Sequence, residues 1–257
     1  MKTRNLFSLE NKVALILGGK GKIGFEISCA LSESGAKVIS ASRNKLQEKE
    51  KIDLFNSLNI DSMEIDASDE IQVQRAVEEI ENDYGPVDIL VNCTSVRPMK
   101  KFMQDSIENW QSSMIINSSS LFVPSRIIGD KMSKLGSGSI INISSIYGMN
   151  SPPMHLYKDV DFITEPDYPF VKSGGIGFSK YLSSYYAENN VRVNVIAPGG
   201  VFNNQPKEFL DKYNEIVPMG RMAEAQDIVG AAIFLASDAS QYVTGIVLPV
   251  DGGWSSI

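Results

Sequence analysis

Apolar segments of strand length alternate with amphipathic segments of helix length along this 257-residue sequence. That alternation predicts a doubly wound α/β domain, a parallel sheet with helices on both faces. Two further observations agree. The strand segments are near-continuous apolar runs, as expected for strands covered on both sides. A glycine-rich turn, Gly18-Gly19-Lys20-Gly21-Lys22-Ile23-Gly24, joins the first of them to the first helical segment.

Strands are expected over residues 13–17, 37–42, 61–66, 88–92, 139–144, 191–197 and 246–250, where β-branched and other apolar residues cluster. Helical periodicity falls between them, over 22–34, 45–58, 70–83, 107–135, 168–189 and 225–237, with a shorter helix at 207–213. No internal repeat or linker interrupts the pattern, so residues 1–257 read as a single domain. Two stretches depart from it, about 147–167 and about 199–220. Long irregular segments in a compact domain are usually binding loops or lids, and in a doubly wound sheet they fall at the carboxyl ends of strands. We therefore expect a substrate-loop insert in the first and a substrate lid in the second.

Composition narrows the function. Hydrophobic residues make up 43% and charged residues 21%, ordinary values for a folded globular chain. The net charge of −7 argues against nucleic acid or an anionic membrane as partners, since either calls for a basic face. It leaves an anionic small molecule open, because a pocket can be locally basic. The two cysteines, Cys29 and Cys93, form no CxxC pair, so neither a disulfide framework nor a zinc site is expected and a reducing, cytoplasmic setting fits. Residues 1–12 lack the apolar run of a signal peptide, and no segment reaches the roughly 20 apolar residues of a membrane span.

The glycine turn has a specific chemistry. Gly18, Gly21 and Gly24 permit a tight turn, close approach of a pyrophosphate to the backbone, and close packing of helix on strand. The free N–H groups of the helix N-terminus, from Lys22 and Ile23 onward, add a partial positive charge. A dinucleotide cofactor is the ligand that fits. The end of the second strand should select it. Ser40-Ala41-Ser42-Arg43-Asn44 has no carboxylate for a ribose 2′-hydroxyl, whereas Arg43 beside Ser42 can fork a 2′-phosphate. With Lys20 and Lys22 nearby, NADP(H) is favoured over NAD(H). Asp66, followed by Ala67, is placed either to accept from the adenine amino group or to cap the next turn.

These features, with Asn142-Ile143-Ser144-Ser145, Tyr168-x-x-x-Lys172, Asn194-Val195-Ile196-Ala197-Pro198-Gly199-Gly200 and Val250-Asp251-Gly252-Gly253, resemble the short-chain dehydrogenase/reductase family along essentially the whole chain. The resemblance implies a Rossmann-like sheet of about seven strands, a nicotinamide dinucleotide, and a catalytic set of Asn117, Ser145, Tyr168 and Lys172. It also implies cofactor contacts at Asn92, Cys93 and Thr94 after the fourth strand and at Pro198, Gly199, Val201 and Asn203 after the sixth. The residues support the catalytic set independently. Tyr168 and Lys172 lie four apart, on one helix face, with Asp167 placed to cap that helix and Pro169 suited to its first turn. Bringing a phenol from pKa ~10 to near 7 takes about 4 kcal/mol, and an adjacent ammonium favours the phenolate. Ser145, with Ser144 as its competitor, would bond the reacting oxygen. Asn117 would hold a water between Lys172 and solvent.

The chain departs from the family pattern in three places. Leu17 and Lys22 replace the usual Thr and middle Gly of the turn. Asn92-Cys93-Thr94-Ser95 replaces Asn-Asn-Ala-Gly, and Asn203 stands for the Thr after Pro-Gly. The stretch before Tyr168 is roughly ten residues longer than the family's common spacing, and it carries Met154, His155, Tyr157 and Phe162. With Arg97, Asn203 and Gln205, Tyr157 suggests a polar pocket with an aromatic floor for a hydroxylated or anionic substrate. The segments 92–98 and 198–206 resemble a subgroup from bacterial surface-sugar and nonulosonic-acid clusters, which implies a sugar or nucleotide sugar. His155, the sole histidine, has the character of a structural residue.

Rival classes fit the residues less well, among them a sugar epimerase or dehydratase using the same Tyr and Lys, whose relatives usually have a larger C-terminal substrate region. A serine hydrolase needs a base and a Gly-x-Ser-x-Gly elbow, and this chain has one histidine and no elbow. A cofactor-sensing protein on the same fold would be expected to lose the Tyr or the Lys, and both are present. The expected partners are a small-molecule substrate and a second or further copy of the chain, as a homodimer or homotetramer paired through the long helices.

Overall fold

The structure, a computed structural model, describes residues 5–158 and 160–257, so the first four residues of the polar N-terminal lead lie outside it. Its strands are β1 (Val13–Leu17), β2 (Lys37–Ser42), β3 (Asp61–Glu64), β4 (Ile89–Asn92), β5 (Gly138–Ile143), β6 (Val191–Pro198) and β7 (Val247–Val250). The helices are α1 (Lys22–Glu33), α2 (Lys49–Ser57), α3 (Glu70–Tyr84), α4 (Ile107–Leu135), α5 (Asp167–Tyr186), α6 (Lys207–Ile216) and α7 (Val229–Ala236). The strands form one sheet in the order β3-β2-β1-β4-β5-β6-β7, every pair parallel. This is the Rossmann-like doubly wound sheet that the sequence predicts. Its strand order reverses between β1 and β4, where such sheets bind ligands.

Alternate residues of β1 enter opposite layers, as a period of two requires. Val13, Leu15 and Leu17 pack with Val77 and Ile80 of α3, Met132 of α4 and Leu182 of α5. Ala14 and Ile16 pack with Ile27 and Leu31 of α1, Phe55 of α2 and Leu235 of α7. A third apolar cluster lies outside these layers. Tyr147, Leu156 and Tyr157 of the insert pack on Phe209, Tyr213 and Val217 of the α6 region and on Trp254. The two irregular stretches thus share a small core of their own.

The bounds of β1, β2 and α4 agree with expectation, and α4 shows why. Ser106 accepts from Asn109 N–H (3.2 Å) at its start, and Gly136 takes a left-handed φ of 73° just past its end. Other ends differ for physical reasons. Residues 45–48 are not helical: Leu46 packs against the core and Lys45 lies 3.8 Å from Glu64, so α2 starts at Lys49. Strand β3 stops at Glu64. Beyond it Asp66 accepts from the N–H and hydroxyl of Ser68 (2.9 and 2.6 Å), the turn-capping alternative of the two weighed for it. The segment expected as a helix over 225–237 opens with a 3₁₀ turn, Ala225–Ile228, capped reciprocally by Glu224 and Asp227.

One buried polar ladder crosses the sheet. The Asn92 amide donates to Asn142 Oδ1 (2.8 Å) and Ser125 (3.1 Å), and the Asn142 amide donates to Ser179 on α5 (2.8 Å). Asn92, expected at the cofactor, thus spends its amide N–H groups on the core, while its Oδ1 has no partner. Buried donors left without partners cost about 1–3 kcal/mol. Asn142→Ala should accordingly lower unfolding stability in urea by about 1–3 kcal/mol, and an unchanged midpoint would contradict this role.

Candidate active site

At the β1–α1 junction, Gly18 has φ of 85°, and a Cβ there would stand 2.8 Å from the Cys93 carbonyl. Gly21 caps α1 with no side-chain bond, so the Lys22 and Ile23 N–H groups stay open toward an anion, while the Gly24 N–H meets the Cys93 thiol. A Cβ at Gly21 would meet only the Gly18 carbonyl (3.2 Å), which leaves the approach clear. These residues fit a dinucleotide pyrophosphate. Lys20 N–H bonds the Ser42 hydroxyl (3.1 Å), joining the turn to the end of β2, where Arg43 stands exposed. Ala67 is buried in the core after β3.

Lys22 corrects the expectation of added charge at the β2 end. Its ammonium turns the other way, bonding the Phe202 carbonyl, lying over the Phe202 ring and standing 3.8 Å from Glu224. It thereby ties the phosphate turn to the segment after β6.

Helix α5 is fastened to the end of β5 by a series of bonds. Lys172 Nζ donates to the Ile143 carbonyl (2.9 Å), and the Ser144 hydroxyl donates to the Lys172 carbonyl (3.0 Å). Ser173 donates to the Gly148 carbonyl (2.9 Å). Ser144 is thus spent on the backbone. Ser145, by contrast, accepts from Tyr147 N–H (3.1 Å) and leaves its hydroxyl to Tyr168 and the cleft. Tyr168 stands over this point with Lys172 Nζ 5.6 Å from its ring centre. Burial opposes ionisation of the Tyr168 phenol. The charges of Lys172 and Arg97 and hydrogen bonding by Ser145 outweigh it and hold the phenol below its ordinary pKa.

A cleft of about 460 Å³ opens here, lined by Ile23 of the glycine turn, Ser145, Tyr168, Arg97, Val201 and Asn203 among others. Pro198 and Gly199 form its wall at the end of β6. A smaller cavity, with about 40 Å³ for water centres, adjoins Lys172 and is bordered by Thr94, Asn117 and Ser120. That volume suffices for one or a few waters with polar partners. Cys93 lies at this end of β4, and burial pushes its thiol up to about 11 against the pull of Lys172 and the Gly24 N–H.

Several expected contacts prove to be braces. The Asn117 amide donates to Val96 O and Ser113 O (both 3.0 Å) and accepts from Val96 N–H (2.9 Å), so its side chain holds the segment after β4. Asp167 does not cap α5. It lies within the helix, only 1% exposed, and accepts from Ser113 (2.6 Å). Gln205 lines the cleft, and its amide also closes its own loop, accepting from Asn203 N–H (2.6 Å) and donating to Val201 O (3.0 Å). Tyr157 lines the cleft, but its hydroxyl pairs with Thr164 (2.6 Å) and donates to Tyr147 (3.0 Å). His155 is exposed on the insert.

The comparisons with known proteins agree with this geometry. Residues 19–255 match the family profile described as Enoyl-(Acyl carrier protein) reductase. The chain is 34% identical over 253 residues to the 3-oxoacyl-[acyl-carrier-protein] reductase FabG of Chlamydia muridarum, covering 95% of this chain and 98% of that one. It is 35% identical over 262 residues to the 2-dehydro-3-deoxy-D-gluconate 5-dehydrogenase of Bacillus subtilis, covering 97% of each. Among solved structures, the short chain dehydrogenase of Leptospira borgpetersenii with bound NAD+ superposes with TM-score 0.89 at 31% identity, over 99% of this chain and 97% of that one. A gluconate 5-dehydrogenase from Burkholderia cenocepacia, in complex with NADP and tartrate, gives TM-score 0.87 at 28% identity over 100% of both chains. The chain belongs to the short-chain dehydrogenase/reductase family. It is an NAD(P)-dependent oxidoreductase that interconverts a secondary alcohol and a ketone.

One residue of this region gave no sequence signal. Glu165 is 7% exposed, with neither carboxyl oxygen in a well-formed hydrogen bond. Burial pushes its carboxyl up, and the Phe102 N–H only partly offsets that, while Asp105 and Asp167 add to it. A raised folded-state pKa contributes stability that is complete below the unfolded pKa, about 4.3, and is lost as pH rises through the folded value. Glu165→Gln should therefore melt higher than the parent at neutral pH, with the gap closing toward about pH 4. A lower melting temperature for Glu165→Gln at neutral pH would contradict the reading.

Proposed function

We propose that this enzyme is an NADP(H)-preferring reductase or dehydrogenase of a polar hydroxylated substrate such as a sugar or nucleotide sugar, with Tyr168 as its general acid and base. The observation that carries the reading is Ser145 and Tyr168 lining one cleft, with Lys172 just behind Tyr168, beside an α1 N-terminus that has no side-chain cap. The first turn of α1 with Gly18, Gly21 and Gly24 would hold the pyrophosphate, Ser42 and Arg43 the 2′-phosphate, and the ends of β4 and β6 the nicotinamide side. When bound, the dinucleotide supplies the hydride donor or acceptor.

The chain's own residues handle the proton. Ser145 offers its hydroxyl proton, which meets Tyr168 in the ligand-free site, to the reacting oxygen of the substrate. Tyr168 gives its phenolic proton to that oxygen in reduction and takes it back in oxidation. Lys172, fixed by the Ile143 carbonyl, stabilises the phenolate left behind. Water in the cavity beside Thr94, Asn117 and Lys172 gives the proton a route to solvent. Asn117 acts by bracing the wall of that route.

The substrate class rests on the cleft's hydroxyl, amide and aromatic lining and on relatives named for sugar-acid substrates. The insert, packed on α6, forms its roof. The same reading has the chain acting in the cytoplasm as a homodimer or homotetramer. Supporting it, both cysteines are free, and no helix among the described residues is long and apolar enough to cross a membrane. Helices α4 and α5 also leave Ile115, Phe122, Tyr181 and Tyr185 exposed, and light scattering should report more than one chain per particle.

The decisive assay follows NADPH and NADH with a panel of sugars, nucleotide sugars and sugar acids. Tyr168→Phe should reduce turnover by about 10²–10⁴-fold. Arg43→Ala should weaken NADPH binding by about tenfold while sparing NADH, since only the former loses a charge-assisted contact. Full turnover by Tyr168→Phe would remove the mechanism, and tighter NADH binding untouched by Arg43→Ala would reverse the cofactor choice.

A further inference from the structure

The side chain closest to the face of Tyr168 among the charged groups is not the lysine of the motif. The Arg97 guanidinium carbon stands 3.8 Å from the Tyr168 ring centre, against 5.6 Å for Lys172 Nζ. A cation within about 6 Å of a ring centre is in attractive contact with its face. Among the described residues no carboxylate pairs with Arg97, and it is the single ionised side chain among those lining the cleft. Arg97 is itself exposed, so solvent screens part of its charge, and among the described residues no carboxylate competes with Tyr168 for it.

The placement is built in. Arg97 lies between Val96 and Pro98, and a following proline biases it toward extended backbone. Val96 is held at both its N–H and its carbonyl by Asn117. The Asn117 amide also meets the Ser113 hydroxyl (3.1 Å), and that hydroxyl donates to Asp167 (2.6 Å). Val96 precedes Arg97 and Asp167 precedes Tyr168. One polar chain, Val96–Asn117–Ser113–Asp167, half-buried at its first two members and buried at its last two, thus positions both partners of the stack.

We propose that Arg97 is a positioning residue for the acid–base step, a second cation that works with Lys172 to stabilise the Tyr168 phenolate. The inference rests on Tyr168 as the proton-handling residue. It goes beyond that assignment by giving Arg97 a role on the tyrosine, where the sequence suggested contact with substrate alone. Arginine suits the place because its planar guanidinium stacks on an aromatic face and stays charged at every working pH. Lysine at 97 would keep the charge and lose the stack. The direction of the shift at Tyr168 agrees, with Arg97 next to Lys172 among the charges that lower it.

The test needs no substrate. Phenolate absorbance of the ligand-free protein is titrated with pH, and the curve of the matching Tyr168→Phe protein is subtracted to isolate Tyr168. Arg97→Met should move the Tyr168 midpoint upward by about one pH unit, or about tenfold less phenolate at a given pH. Arg97→Lys should recover part of that shift. Unchanged circular dichroism and NADPH binding exclude a collapsed site as the cause. A midpoint in Arg97→Met equal to the parent's overturns the proposal, as does an equal upward shift in Arg97→Met and Arg97→Lys. Loss of the general acid–base assignment would instead appear as retained turnover in Tyr168→Phe, so the two failures are separable.

Discussion

A primary ammonium at a half-buried cleft is stable only if its protons are met, and the rest of the site follows from how Lys172 is held. Its anchor is the carbonyl of Ile143, the last residue of β5. That bond works because α5 is fastened to β5 and the turn after it at neighbouring points: Asn142 to Ser179, Ser144 to the Lys172 carbonyl, and Ser173 to Gly148. Gly148 permits the approach, for a Cβ there would fall 2.9 Å from the Lys172 backbone. With α5 fixed in this register, Tyr168 one turn earlier must project over Ser145. The sheet therefore sets the mutual placement of Ser145, Tyr168 and Lys172 through hydrogen bonds to one helix.

The electrostatics of the start of α5 are divided by side. Lys172 and Arg97 face Tyr168 and outweigh the effect of burial on its phenol. Asp167 and Glu165 precede it in sequence and are buried out of the cleft lining, Asp167 sharing the Ser113 hydroxyl and Glu165 with no firm partner. A carboxylate in the cleft would cancel the cations that favour the phenolate. The structure instead keeps these two acids within the packing, where one serves as a hydrogen-bond acceptor for the network that places Arg97. Lys22 has an analogous part on the other side, joining the phosphate turn to Phe202 and Glu224. Both clamps cross long distances in sequence.

Legibility of the sequence follows that distinction. Local rules sufficed for β1 and β2, short apolar runs, and for α4, whose Ser106 and Gly136 mark its ends. The glycine turn was readable because its requirement is a backbone one. Ser144 and Ser145 were ambiguous as neighbours, and the Ser144 bond to the Lys172 carbonyl, a contact 28 residues away, separates them. Asp167 looked like a helix cap because a cap is the local use of aspartate. Its partner, Ser113, is 54 residues away. Gln205 and Tyr157 line the cleft as their polar character in irregular segments suggested, but their bonds to Val201 and Thr164, which close those segments on themselves, had no local signal. Pairing across the fold has no period in the sequence, so the stack of Arg97 on Tyr168 was not visible there.

The central claim is that Tyr168, poised by Lys172, carries the proton in the reaction. Its most direct measurement is the pH dependence of kcat/KM for NADP+-linked alcohol oxidation in the parent and in Lys172→Met. The account predicts that the parent's activity rises through an apparent pKa below that of a free phenol, about 10, and that this limb moves to higher pH in Lys172→Met. A limb at the same pH in both proteins would contradict it.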